Sequence, residues 1–511
     1  MLRMRNILLC FVGILIFLYG CMDLAVNNPN SPDRSIAVAS GSDVESLVGS
    51  SFVQFWWATQ GSTVACLGIS TMADIHTSAY GNFGMLDLSS EPRAGINNTT
   101  AYSYSADFLT PWRYPYRAAS QANDGLVTIA GGIKIIDATT KADVTLRAIA
   151  FARFVRGISH AWLACLYDQA FVVDGPITDA TKLTLQPYTE VIKSAYVDLD
   201  SCIAICSRIT FTLPASWING VTIDQVGLKQ LAYSYKARYR AAVARTAAER
   251  AAVSWATVMA DAQNGIKTDF APVGDGGNSW YDYSKFYGTD PSWTRADYKV
   301  IGLTDTSGRY TTWLNTAVSS RTEFLLATAD RRITGATPTT DGTDFGYGSN
   351  SPFAATRGTY HQSFYYFSRY KYHRPQWAGA MPAITVVEMD FLVAEAKVAA
   401  GSLTEAATLI NKTRVTRGKL PPLTGSEGKD VVMKWLKYDK LIETWSTGAC
   451  VGYFDKRGWG DLLTGTAVHW PIPGGQLELM MMPNYSFGGG GTGSAPKYGF
   501  IPGPVRNLKP Y

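Results

Sequence analysis

The chain has 511 residues, of which 46% are hydrophobic, 12% aromatic and 17% charged, and its 46 basic and 41 acidic residues give a net charge of +5. That balance is too even for a nucleic-acid-binding footprint, and low charge with many rings excludes a largely disordered chain. Length allows roughly two to four domains. Composition does not divide the 14 Trp and 28 Tyr between core and binding surface.

Arg3 and Arg5 precede an apolar run from Ile7 to Leu18, too short to span a bilayer as a helix. Leu18-Tyr19-Gly20-Cys21 follows, with an apolar residue, a small residue and then the thiol that lipidation requires. Residues 1–20 are therefore predicted to be a lipoprotein signal peptide. Cys21 is the predicted lipid attachment site, and 21–41 a polar tether on an acyl-chain anchor. Cys202 and Cys206 lie four apart on one predicted helix and read as core thiols; there is no C-x-x-C.

Helical periodicity then dominates residues 42–266. Predicted helices cover Ser42–Thr59, Trp112–Ile129, Leu146–Asp168, Tyr188–Ser207, Leu228–Ala244 and Ala248–Ala262, with a loop-like stretch over 72–106. Residues 267–383 read differently, as an insertion of loops and short strands. From Trp280 to Trp377 there are 21 aromatics in 98 residues, about double the chain average. In Tyr365-Tyr366-Phe367, strand alternation predicts that only part of the run is buried. Long structured loops of this kind usually carry function. Helices return over 384–511: Thr385–Ala400 and Leu403–Thr416 form a pair of tetratricopeptide length. Val431–Thr447 follows, and then a Pro- and Gly-rich tail from Leu462 that wraps the scaffold. The fold class is mainly α, a tetratricopeptide-like helix-pair scaffold carrying a large irregular insertion.

Several landmarks occur in order. After the lipobox come Asn28-Pro29-Asn30-Ser31-Pro32, then Trp112-x-x-x-Tyr116 with Asn123. Glu388-x-x-x-Leu392-x-Ala394-Glu395-Ala396 follows, with Asn411 and Arg414. Last are Lys440-Leu441-x-Glu443, Phe454-Asp455-x-Arg457-x-Trp459 and Trp470-Pro471-Ile472-Pro473. Together these resemble the SusD/RagB family of nutrient-binding outer-membrane lipoproteins. The resemblance implies a surface-exposed lipoprotein on the outer membrane, held by its lipid anchor. It would lie as a lid over a SusC-like TonB-dependent transporter, bind an oligosaccharide or, in some members, a peptide, and lack catalytic activity. Trp445–Cys450 and the Met480-Met481-Met482 run depart from the family pattern and mark a divergent member.

No H-E-x-x-H, G-x-S-x-G or Walker motif is present. Glu388 and Glu395 share a helix face and read as ion-pair residues rather than a hydrolytic carboxylate pair. Asp275, Asn278 and Asp282 supply oxygens, but not at calcium-loop spacing. No cofactor or metal is expected, and a glycan-processing enzyme stands as the rival class. A sugar offers an apolar C–H face and a hydroxyl rim, which rigid rings and neighbouring polar groups complement. On that chemistry the predicted ligand-binding residues are Trp280, Tyr281, Asp282, Tyr283, Trp293, Arg295 and Trp313 in the insertion. Tyr80-Gly81-Asn82-Phe83, with Arg93 beyond, is a second cluster, of which Tyr80, Asn82 and Arg93 are the predicted ligand residues.

Overall fold

The structure, a computed structural model, describes residues 38–78, 81–177, 179, 182–349 and 362–487. The predicted signal peptide and Cys21 lie outside the described residues, as do most of the tether and the last residues of the tail.

Helices α1 (Gly41–Gly49) and α2 (Ser51–Thr59) replace the single helix expected over 42–59. The hydroxyls of Ser50 and Ser51 donate back to the carbonyls of Leu47 and Val48, at 3.0 and 2.5 Å, and locally compete with the helical ladder. A π-helical turn, Val64–Gly68, leads into α3 (Ile69–Met72), β1 (His76–Ser78) and α4 (Met85–Ser89). The long scaffold helices follow. They are α5 (Ser105–Ala130), α6 (Thr145–Leu166), α7 (Tyr188–Cys206) and α8 (Gln225–Ala242), with β2 (Gln169–Phe171) and β3 (Leu185–Pro187) paired between α6 and α7. Where one helix was expected over 248–262 there are two, α9 (Ala247–Ala251) and α10 (Trp255–Gln263). The Trp255 indole donates to the Arg250 carbonyl at 3.1 Å, which closes α9.

Helix α6 is the central strut. It is apolar, almost wholly buried, and packed by α5 and α7. Gly157 permits the approach to α7, since a Cβ there would sit 2.9 Å from Leu199 Cγ. Its polar residues are paired in the same contact: Arg156 donates to both Asp198 oxygens at 2.7 Å and to Asn123 Oδ1 at 2.8 Å. At its C-terminus, Arg245 and Arg457 donate to the carbonyl of Cys165 at 2.6 and 2.9 Å, satisfying groups a helix end leaves open.

The array α5–α6–α7–α8–α10 does not stop at the insertion. Helix α10 packs directly on α14 (Val386–Ala399), which pairs with α15 (Leu403–Arg414), and α16 (Lys429–Glu443) covers both. The intervening segment leaves and returns through a narrow neck. Phe270 bridges Ile384, and β4 (Val273–Asp275) pairs antiparallel with β8 (Ala378–Ala380). Inside it are α11 (Tyr283–Phe286), β5 (Thr294–Ala296), α12 (Tyr298–Ile301), α13 (Arg309–Asn315) and the hairpin β6 (Phe345–Tyr347) with β7 (Tyr365–Phe367).

Several landmark residues, Glu388, Glu395, Glu443, Asp455, Arg457 and Trp459 among them, are buried. Glu388 takes Arg238 of α8 in a two-pronged pair, 2.7 and 2.5 Å, and Glu395 takes Arg250 at 2.9 and 2.7 Å. Arg250 also reaches Asp455 on α17 (Val451–Trp459), at 3.0 Å, and the Trp459 indole donates to Glu395 at 2.9 Å. Arg332 of the insertion donates to Asp330, Asp439 and Glu443, at 2.6, 2.6 and 3.0 Å, and so locks the insertion to α16. Among the described residues, the tail from Leu462 to Phe487 is coil except for α18 (Gly474–Leu479), and Asn98 clamps it through the Ile472 carbonyl at 2.8 Å and Gly474 N–H at 3.0 Å.

Candidate ligand-binding surface

Two segments far apart in sequence meet where β1 pairs with β5, His76 opposite Ala296 and Ser78 opposite Thr294. This pairing sets the 82–83 turn beside α11 and Trp293. A run of half-buried rings results. Phe83 stacks on Trp293, with centroids 6.0 Å apart and planes at 14°, and Trp293 leans on Tyr287 at 4.5 Å. Tyr287 meets Tyr283 at 5.3 Å and Tyr283 meets Tyr281 at 5.1 Å. Trp377 touches Tyr281 and Tyr283 at 5.8 Å and lies flat on Phe286, 3.7 Å at 14°. At the Tyr281 end, Trp57 donates its indole N–H to Ser279 O at 2.6 Å and pairs with Tyr114 at 5.4 Å. Arg113 and Arg117 sit over the Tyr114 ring, at 5.2 and 4.9 Å.

Two of these rings are held in strained backbone. Phe83 has φ 56° and Trp377 φ 52°, a region bulky side chains avoid and structures retain mainly where surrounding packing enforces it. Around Trp377 the enforcement is visible. Gly276 donates to its carbonyl at 3.2 Å, and a Cβ at Gly274 would lie 2.3 Å from that oxygen. Rings fixed in this way lose little entropy on contact with a ligand.

Of the predicted ligand-binding residues, Tyr281, Tyr283 and Trp293 stand in this ribbon, and Asn82 is half-buried beside Phe83. Tyr80 lies outside the described residues. Five others are withdrawn from the surface, which corrects the expectation that their side chains meet ligand. Trp280 packs on Phe52 and Trp56, at 6.1 and 5.5 Å, inside the core. Asp282 is fully buried; it caps α11 through Lys285 N at 3.1 Å and pairs with Lys285 Nζ at 2.7 Å. Lys285 in turn donates to the Pro382 and Ser446 carbonyls at 2.9 and 2.7 Å, so the pair fastens α11 to the scaffold. Arg295 donates to the Pro291 and Phe364 carbonyls, at 3.0 and 2.9 Å. Trp313 is buried against Tyr298 at 5.4 Å, with Arg321 over its face at 4.5 Å. Arg93 is paired to Asp74 at 2.7 Å and donates to Thr466 at 2.9 Å.

Sequence reasoning placed Phe83 in its second cluster without choosing it as a ligand residue, and missed Phe286, Tyr287 and Trp377. Phe83 was within reach, as the neighbour of Asn82; the rest need the turn geometry that points them outward. The Asp275 carboxylate is occupied by the amides of Asn278, Ser279 and Trp280, at 3.0 to 3.2 Å, and Asp282 by Lys285. No cluster of His, Cys, Asp or Glu that could hold a metal occurs among the described residues.

No family model and no curated protein matches the sequence. Solved structures do match. A SusD-like carbohydrate-binding protein from Bacteroides fragilis is 15% identical, with a TM-score of 0.55 over 93% of this chain and 96% of that one. A SusD superfamily protein from the same species is 14% identical, with a TM-score of 0.54 over 87% and 98%. Surface glycan-binding protein A from Bacteroides uniformis is 12% identical, with a TM-score of 0.52 over 82% and 89%. The chain has the SusD fold, a helical-pair scaffold carrying a large insertion.

Proposed function

We propose that this protein is a SusD/RagB-family lipoprotein, anchored through Cys21 on the outer-membrane surface. It binds a glycan on the ribbon from Phe83 to Trp377 and delivers it to a SusC-like TonB-dependent transporter. The observation that carries the binding step is the ribbon itself: Phe83, Trp293, Tyr287, Tyr283, Tyr281 and Trp377 are partly exposed, contiguous and rigidly held. Solvent-facing rings of this kind match the C–H faces of successive sugar rings. The fold shared with a carbohydrate-binding and a glycan-binding protein supports the same ligand class. The protein acts by capture, and no catalytic step is assigned to it.

Titration of the purified mature chain with a panel of oligosaccharides tests the reading. Binding to at least one glycan is expected, weakened tenfold or more by Trp293→Ala and by Trp377→Ala. Binding of peptides with no saccharide binding would sink it.

A further inference from the structure

The ribbon continues around Phe286 into a cleft of about 940 Å³, at the upper end of the range for small-molecule sites. Phe286, Tyr366 and Tyr372 are the rings that line it. Strand alternation makes this possible: Tyr365 and Phe367 point into the core, while Tyr366 points out. Tyr372 is half exposed and held by its hydroxyl, which donates to Ala380 O at 2.7 Å.

The charges around this cleft are sorted by depth. Arg369, Lys371 and Arg374 line it, against the single carboxylate of Asp341. The acids that balance the arginines lie behind them. Asp344 and Glu443, which hold Arg369 at 2.6 and 3.3 Å, are 1% exposed, and Asp290, the partner of Arg374, is 6% exposed, whereas Arg374 is 40% exposed. Lys371 is exposed and forms no ion pair among the described residues, and Arg369 Nε is buried without a hydrogen-bond partner. Arg295 stands behind Tyr366, 5.8 Å from its ring. Carboxylates at the back and cations at the front leave a positive field at the mouth, beside rings that fit a sugar face.

We propose that this cleft is a subsite for an acidic sugar, one bearing a carboxylate or sulfate group. Its ring would lie against Phe286, Tyr366 or Tyr372, with its anion met by Lys371 and Arg374. The proposal rests on the glycan-binding reading and narrows it to anionic glycans.

Matched probes isolate the charge: oligogalacturonate against its methyl ester, and dextran sulfate against dextran, each titrated into the mature chain. The charged member of at least one pair should bind tenfold or more tighter, with affinity falling as sodium chloride is raised. Which pair responds tells carboxylate from sulfate. Lys371→Glu should erase most of that preference and Lys371→Arg should keep it, while Lys141→Glu on the α5–α6 connection, an equal charge change, should leave it intact. Arg374→Gln should weaken it too, with thermal melting to verify folding. Equal affinity within both pairs, still lost in Trp293→Ala, would overturn the acidic subsite and leave the glycan reading standing. Equal losses from Lys371→Glu and Lys141→Glu would overturn it as well. No binding to any probe would count against both.

Discussion

His76 shows how one side chain is fixed by its neighbours. Its Nε2 accepts the Trp445 indole N–H at 2.9 Å, so its own proton sits on Nδ1, facing Ser70 Oγ at 2.8 Å. Burial lowers its pKa from 6.5 to about 3. His160 is similar: Nε2 accepts Val173 N–H at 3.0 Å, and burial lowers its pKa to about 4. Both are neutral when folded, and the unfolded chain binds the extra protons between their folded values and pH 6.5. Their contribution to stability is therefore complete above pH 6.5 and is lost as pH falls toward 4, at up to about 1.4 kcal/mol per pH unit for each ring. Asp297 opposes this, because burial raises its pKa to about 7 and its contribution falls as pH rises from about 4 to 7. The histidine part is separable by substitution. Chemical denaturation should find His76→Gln less stable than the parent at pH 7.5, with the gap narrowing by pH 4.5. A gap that stays constant with pH would refute the assignment.

Among the elements, the contact of α8 with α14 spans the insertion and rests on Arg238 and Glu388, both buried. Removing one partner strands a buried charge and typically costs about 3–5 kcal/mol, whereas an apolar pair of similar volume is often tolerated. Glu388→Gln should therefore lower stability by about 3 kcal/mol or more, and Arg238→Met with Glu388→Met should recover much of the loss. Equal stability of parent and Glu388→Gln in urea melts would show that the pair is not a strut. The β1–β5 pairing offers a second element-scale test. Thr294→Pro removes the N–H that donates to the Asp290 carbonyl at 3.1 Å at the start of β5, and should separate Phe83 from Trp293. Glycan affinity should then fall with α-helical circular dichroism unchanged, since the scaffold helices do not depend on that strand pair.

At the scale of the whole molecule, the scaffold and the binding surface are built by different rules. Helices α5–α8, α10 and α14–α16 form a continuous array with buried ion pairs such as Arg238–Glu388 and Arg250–Glu395 inside it. The insertion leaves that array through the β4–β8 neck and is locked back onto α16 by Arg332. The proposed address is equally a whole-molecule property. Cys21→Ser should abolish metabolic palmitate labelling and shift the protein out of the outer-membrane fraction; unchanged labelling would refute the anchor. Pull-down of the mature protein from detergent-solubilised outer membranes should recover a TonB-dependent transporter, and recovery of the protein alone would count against the proposed partner.

Much of this was written in local patterns. Apolar residues at three-to-four spacing marked α6, α7 and the α14–α15 pair to within a few residues, because a helix that must bury one face repeats with the helical turn. Glu388 and Glu395 could be read as ion-pair residues, because catalytic chemistry would need partners the sequence does not supply. Helix α17 went unseen: it follows Cys450 in a left-handed conformation, φ 62°, and no capping residue announces it. The proposed binding surface was legible only in composition. The 280–377 stretch held the excess rings, and of the ligand residues proposed there Tyr281, Tyr283 and Trp293 are partly exposed. Trp280, Asp282 and Arg295 alternate with them in the chain, however, and point inward. Sequence by itself determined where the long scaffold helices lie and where aromatics concentrate, since both follow from near-neighbour spacing. Only the tertiary structure decided which rings reach solvent. That depends on strand pairing between residues 76–78 and 294–296, and on the left-handed turns at Phe83 and Trp377, long-range and steric constraints that no local pattern encodes.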